Sequence, residues 1–139
     1  MKKIILTDYI DFDFALIGIC SQDDDFKMAF CLNKSLELDF ERVKDIELIS
    51  GKQKNQINFS CFYYLEPDSE LEYYLITNRG SNGVLIPEHK QIDYLLRIVG
   101  ENELYDDERI LDKILEMPQV LTAILMDAKS IKSIENILV

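Results

Sequence analysis

INFSCFYYLEPDSELEYYLIT, residues 57–77, is the stretch whose reading decides the fold. Ile57, Phe59, Cys61, Tyr63 and Leu65 occupy alternate positions, and Leu71, Tyr73, Leu75 and Thr77 do so again. A period of two lines such residues along one face of an extended strand. Between the runs, Glu66-Pro67-Asp68-Ser69 supplies turn chemistry, since proline presets φ while Asp and Ser bond nearby main chain. The segment predicts an antiparallel hairpin. Tyr63, Tyr64, Tyr73 and Tyr74 put aromatics on both of its faces. Exposed aromatic faces mark protein contacts, so these four tyrosines are interface candidates.

Upstream, Phe12 to Cys20 is a short, mostly apolar run that predicts a buried strand. Asp23-Asp24-Asp25 can cap a helix and complement its positive end, and Phe26, Ala29 and Phe30 recur at helical spacing; a helix is predicted from Asp24 to Lys34. Phe40 to Ile49 predicts a strand ending at Ser50-Gly51, followed by a polar loop from Lys52 to Gln56. Downstream, Asn78 to Gly83 reads as a loop. Ile92, Tyr94, Leu96 and Ile98 alternate up to Gly100 and favour a strand over 91–99, although Ile92, Leu95, Leu96 and Val99 also fit a helical face. Asp106-Asp107-Glu108 opens a helix carrying Ile110, Leu111, Ile114 and Leu115, stopped by Pro118. Val120 to Met126 is β-prone, and Lys129 to Leu138 predicts a terminal helix.

These elements describe an α+β fold: one domain over residues 1–139, a mainly antiparallel sheet, and two or three helices packed on one face. At this length roughly 68% of the unfolded chain's surface can be buried, so neither metal nor disulfide is needed for stability. The formal net charge of −11 repels phosphate backbones and anionic lipid, and the basic residues are scattered. Nucleic acid and membrane are therefore not the expected partners. Lys2-Lys3-Ile4-Ile5-Leu6 begins like a secretory signal, but Asp8, Asp11 and Asp13 interrupt it. Cys20, Cys31 and Cys61 are odd in number and lack CxxC spacing, which predicts buried, reduced thiols and a cytoplasmic setting.

Ile86-Pro87-Glu88-His89-Lys90-Gln91-Ile92-Asp93-Tyr94 spells IPEHKQIDY. This resembles the signature of the IPExxxVDY family of small Bacteroidetes proteins, with isoleucine in place of the family's valine. Leu16-Ile17-Gly18-Ile19, Leu32-Asn33, Leu75-Ile76-Thr77-Asn78, Lys132-Ser133 and Asn136 extend the resemblance along most of the chain. The family is named for its motif, its activity is uncharacterised, and the resemblance implies no catalytic residue. Physically, Pro87 biases Ile86 towards an extended backbone. Glu88 can accept from loop amides or pair with Lys90 or Arg79. In a strand over 91–99, Asp93 points away from Ile92 and Tyr94, and Tyr94 can bury its ring while keeping its hydroxyl for a partner. Glu88, Asp93 and Tyr94 thus either pin a loop to the sheet or form a binding site.

No catalytic, metal or cofactor site emerges. His89 is the one histidine; a general base there would need an orienting acid and a pocket, and the family signature leaves its position unspecified. Asp8, Asp11 and Asp13 lack the glycine and distant glutamate of a calcium loop. Gly80-Ser81-Asn82-Gly83 beside Arg79 can cradle an anion, but no Walker lysine follows, and a flexible turn is the better reading. The expected function is a protein-interaction or adaptor module, binding a partner or itself without catalysis. The alternative is a small-molecule-binding regulatory domain.

Overall fold

A computed structural model describes residues 14–50, 55–80 and 83–138. The Asp8, Asp11 and Asp13 cluster, the lysine-led start, Phe12, most of the 52–56 loop and Ser81-Asn82 lie outside the described residues. In chain order the elements are β1 (Phe14–Cys20), α1 (Asp25–Leu36), β2 (Glu41–Ser50), β3 (Asn55–Leu65), β4 (Glu72–Thr77), β5 (Tyr94–Val99), α2 (Asp107–Leu115) and β6 (Thr122–Met126). The strands form one sheet, ordered β2-β3-β4-β5-β1-β6, with every neighbouring pair antiparallel. The predicted hairpin is β3–β4, with Tyr63 opposite Tyr74 and Tyr64 opposite Tyr73.

Local chemistry explains the helix ends. Asp24 caps α1 by accepting from Lys27 N at 2.8 Å, and Glu37 ends it in the left-handed region at φ 57°. Asn33 then takes the chain out of the helix: its carbonyl accepts from Leu38 N, and its Oδ1 accepts from Phe40 N at 2.8 Å. Asp106 caps α2 in the same manner as Asp24, accepting from Arg109 N.

The two α-helices lie on one face of the sheet, as predicted. There Met28, Ala29 and Leu32 of α1 and Ile114 of α2 pack on Ile17, Ile19, Leu75, Tyr94, Leu96 and Ile98. The other face is covered too, but without an α-helix. The sequence predicts a helix from Lys129 to Leu138; the chain there instead forms two 3-10 turns, Ala128–Ser130 and Ile134–Ile137. Their buried residues are Ala128, Ile131, Ile134 and Ile137, a strict period of three. In a 3-10 geometry side chains three apart eclipse, so this spacing lays one row on the sheet where 3.6 residues per turn would rotate it away. The row packs with Leu85, Ile86 and Ile92 over Leu16, Phe59, Cys61, Ile76 and Leu95.

A second expectation also changes. The strand predicted over 91–99 starts at Tyr94, and the preceding residues turn. Ile92 consequently joins the core of the second face while Tyr94 joins the first, so the two do not share a side. Gly18 makes room for this. A Cβ there would stand 2.8 Å from Ile92 Cδ1 and 2.8 Å from Met126 Sδ.

The turning segment is held by Asn78, which is fully buried at the end of β4. Its Nδ2 donates to the carbonyls of His89 at 2.9 Å and Ile92 at 2.8 Å, and its Oδ1 accepts from Ile86 N at 2.8 Å. Its own N–H donates to Asp93 O, and its carbonyl accepts from Leu85 N at 2.7 Å. Asn78→Ala should orphan Ile86 N and Ile92 O, leave His89 O only its bond from Ile92 N, and lower unfolding free energy by about 2 kcal/mol or more. Denaturant melts measure this, and Asn78→Asp should cost at least as much, because an oxygen would then face two carbonyls. A loss under about 1 kcal/mol for the alanine variant would show that the segment holds without the clamp.

Candidate functional site

The IPEHKQIDY segment runs from the second face of the sheet to one of its ends. Ile86 is extended at φ −116° and ψ 90°, as the following proline dictates, and Pro87–His89 form a 3-10 turn. Ile86 and Ile92 anchor the segment in the core. His89 contributes its main chain, accepting from Asn78 and from Ile92 N.

The three polar motif residues do not converge. Glu88 turns to the C-terminal segment, where its carboxylate accepts from Ser133 N at 2.8 Å and from Ser133 Oγ at 2.7 Å. Nearby, Asn136 Nδ2 donates to Leu85 O at 2.9 Å. Asp93 lies at the end of the sheet. Its Oδ2 accepts from Ser21 N at 2.9 Å, and its Oδ1 meets Arg79 Nε at 3.3 Å. Tyr94 buries its ring and donates its hydroxyl to the carbonyl of Asp23. Burial, reinforced by Asp25, Asp24, Asp93 and Asp23, raises the Tyr94 hydroxyl far above the ordinary tyrosine value, so it stays a neutral donor. The sequence left Arg79 and Glu88 as a possible pair; Arg79 goes to Asp93 instead.

Asp93 and Tyr94 line an open cleft of about 570 Å³ together with Cys20, Asp23, Arg79 and Leu121. Arg79 is half exposed there, and one oxygen of Asp23, Oδ2, is buried without a hydrogen-bond partner among the described residues. Cys20 donates to Gln91 O, and burial first, then Asp93, raises its thiol. An unreactive thiol with no base beside it does not make a nucleophile. Cys61 is buried as predicted and its thiol is pushed up to about 11 by burial, whereas Cys20 and Cys31 are only half-buried. Among the described residues, no group of three or more His, Cys, Asp or Glu is placed to hold a metal ion.

The hairpin tyrosines are largely occupied by one another. Tyr63 and Tyr74 sit 5.0 Å apart between ring centroids, and both hydroxyls donate to Glu72 Oε2. Burial together with that carboxylate pushes Tyr74 up to about 12. Tyr64 lies 6.0 Å from Tyr73, and Tyr73 is only 6% exposed, in the core beneath the helices. Tyr73 therefore offers no surface to a partner; Tyr63, Tyr64 and Tyr74 are half-buried at the surface.

Large apolar side chains are exposed elsewhere. Phe26 and Phe30 stand on the outer side of α1, and Leu121, Ile124 and Leu125 cluster at β6, with Leu121 68% exposed. The sequence marked β6 as a strand but did not reveal that it is an edge. Among the described residues no helix is long and apolar enough to cross a membrane. Comparison with protein-family models, with curated proteins and with solved structures finds no match to this chain.

Glu88 supplies a pH-dependent contact between the motif and the C-terminal segment. Burial raises its pKa, but the two donations from Ser133 outweigh this and hold it below the ordinary value of 4.5. A depressed carboxylate stabilises the fold above its unfolded pKa and loses that contribution as pH falls through the folded one. Because Glu88 is exposed, Glu88→Gln should cost less than about 1 kcal/mol at neutral pH. The gap between parent and variant should narrow as pH falls below 4.5 and through the depressed folded-state value. Urea melts across that range measure it, and a gap that stays constant into acid would remove the ionised contact from the account.

Proposed function

We propose that this chain is a protein-interaction module without catalysis, and that it receives an extended segment of its partner along the outer edge of β6, which pairs with no other strand among the described residues. The observation that supports this is the contrast between the two edges of the sheet. β2 carries Glu41, Arg42, Lys44, Asp45 and Glu47 among its ten residues and has a bulge between Val43 and Ile46. Charges and bulges are what keep an edge from pairing with foreign strands. β6 has neither. From Gln119 to Met126 there is no charged residue, and Ile124 and Leu125 are 43% and 38% exposed. An edge with unpaired main-chain groups and apolar side chains recognises partners by strand addition.

The motif has a supporting part in this reading. Glu88, Asp93, Tyr94 and Asn78 have their polar groups bonded within the chain, so the segment braces the sheet that carries the edge. We propose on the same ground that the chain is an IPExxxVDY protein: Gly18, Asn33, Asn78, Ser133 and Asn136 each fill a defined packing or hydrogen-bonding place. The net charge of −11 argues against nucleic acid as the partner. The three free thiols favour the cytoplasm as the compartment.

The cleft beside Asp93 favours a second reading, a small-molecule regulatory domain, since carboxylates, a guanidinium and the apolar Leu121 share one opening. A ligand screen by thermal shift that raises the melting temperature in the parent, and not in Arg79→Ala, would support it.

The edge is tested by capture from the native host with tagged parent and tagged Ile124→Lys at matched levels. Partners bound through β6 should fall by at least about tenfold in the variant, because a lysine on a pairing edge opposes strand addition. Partners retained equally by both proteins would place recognition elsewhere.

A further inference from the structure

We infer that the strand added to β6 is β6 of a second copy of this chain, in a two-fold antiparallel pairing centred on Ile124. This rests on the edge reading above and names its partner. The outward hydrogen-bonding groups set the register. Ile19 turns its carbonyl to the β5 side, where Asp93 N donates to it at 3.0 Å. Its neighbours Gly18 and Cys20 therefore turn theirs to β6, since main-chain groups alternate along a strand. Their opposite residues are Ile124 and Thr122. Ala123 and Leu125 are thus left with N–H and C=O on the outer edge.

Ile124 is the midpoint of Thr122–Met126, so a two-fold axis through it pairs the whole strand with itself. Ala123 of each copy then stands opposite Leu125 of the other, which brings the outward groups together as hydrogen-bonded pairs. A shift of one residue would set outward groups against inward ones and close no bonds. The side chains fit this register as well. On the helical face Leu125 lies beside the small Ala123 of the second copy. On the other face Ile124 meets its own counterpart in a non-hydrogen-bonded pair, the closer antiparallel geometry, at about 4.5 Å between Cα atoms. Thr122 faces Met126, and no charge enters the contact. An isologous pairing of this kind closes after two copies and leaves the charged β2 edges at the outer ends.

Charge and size predict its behaviour. Each chain carries −11, so the copies repel at long range and the pairing should tighten when salt screens them. A basic partner peptide would respond oppositely, loosening with salt. A five-residue strand gives a small interface, so the dimer should be weak, with Kd on the order of micromolar.

Sedimentation equilibrium on the purified full chain, from about 1 to about 300 µM, is the test. The mass should rise from 16.2 kDa towards twice that value, and Kd should fall as salt increases from about 0.05 to about 0.5 M. Ile124→Lys, or Leu125→Lys should the first fold poorly, should weaken the dimer at least about tenfold. Their near-UV CD and β1 amide protection should match the parent, and Ile124→Val should still dimerise. A monomer throughout that range overturns the inference, as does a dimer unchanged by both lysine variants. If the monomer's β6 amides are nevertheless protected from exchange, the second copy is excluded in favour of residues 1–13 of the same chain. Cellular partners that Ile124→Lys still loses would, in the monomer case, leave the strand-addition reading standing; partners unaffected by it would remove both.

Discussion

Asn78 makes five hydrogen bonds through its four polar atoms inside the protein, where it has no access to water. Each of its contacts crosses from β4 to the segment that leads into β5. That segment cannot pair as a strand, because Pro87 removes a donor and its residues turn instead of extending. Its carbonyls and amides would otherwise be buried without partners, at about 1–3 kcal/mol each. Asn78 suits the place because one carboxamide supplies both donors and an acceptor within a single rigid plane. With the segment fixed, Leu85, Ile86 and Ile92 form part of the floor on which residues 128–137 lie. Leu85 O then receives Asn136, and Glu88 receives Ser133, so the tail is held by polar contacts at the surface and by its isoleucines beneath.

The same face contains a less economical feature. Arg97 is 9% exposed on β5, with its guanidinium 4.7 Å from the Phe14 ring and 5.2 Å from the Tyr74 ring. Its Nη1 reaches Ile137 O at 3.4 Å, but Nε has no hydrogen-bond partner among the described residues. Burial, the largest influence, lowers its pKa; Tyr74 and Glu72 act the other way. Two aromatic faces can offset part of the desolvation of a guanidinium, which is less strongly hydrated than an ammonium. Glu72 stands near without pairing to it, its Oε2 already taking both tyrosine hydroxyls. Tyr74, and Tyr63 through Glu72, are therefore part of the setting of a buried cation.

How far the sequence could be read follows from which forces are local. The hairpin and the sheet-forming runs were legible because burial of one or both faces imposes alternation directly on the residues. Helix starts were legible because Asp24 and Asp106 act on main chain only three residues away. The tail was misread because Ile131, Ile134 and Ile137 satisfy a helical face and a 3-10 row alike; only the fixed period of three, continued back to Ala128, separates them. Asn78 was hidden entirely. In the chain it precedes Arg79-Gly80 and reads as the first residue of a loop, and its partners lie as far away as Asp93. The motif residues were found by resemblance, but their division between the tail and the sheet end depends on a turn at 90–93 that alternation in 92–98 argues against.

The site question turns on which polar groups remain uncommitted. In the motif, carboxylates and hydroxyl face donors and acceptors of their own chain, so a ligand would have to displace existing bonds, losing with one hand what it gained with the other. At the cleft, Arg79 retains outward-facing donors, but its Nε is held by Asp93 and the opening is broad. Along β6 the situation differs in kind. Among the described residues no strand pairs with its outer side, and the side chains that flank it expose apolar surface that water covers poorly. An incoming strand replaces water there without breaking any bond the fold relies on. The opposite edge has the same backbone geometry but surrounds it with five charges and a bulge. Among the described residues the two edges thus differ in charge and regularity, and that difference is what supports the strand-addition proposal.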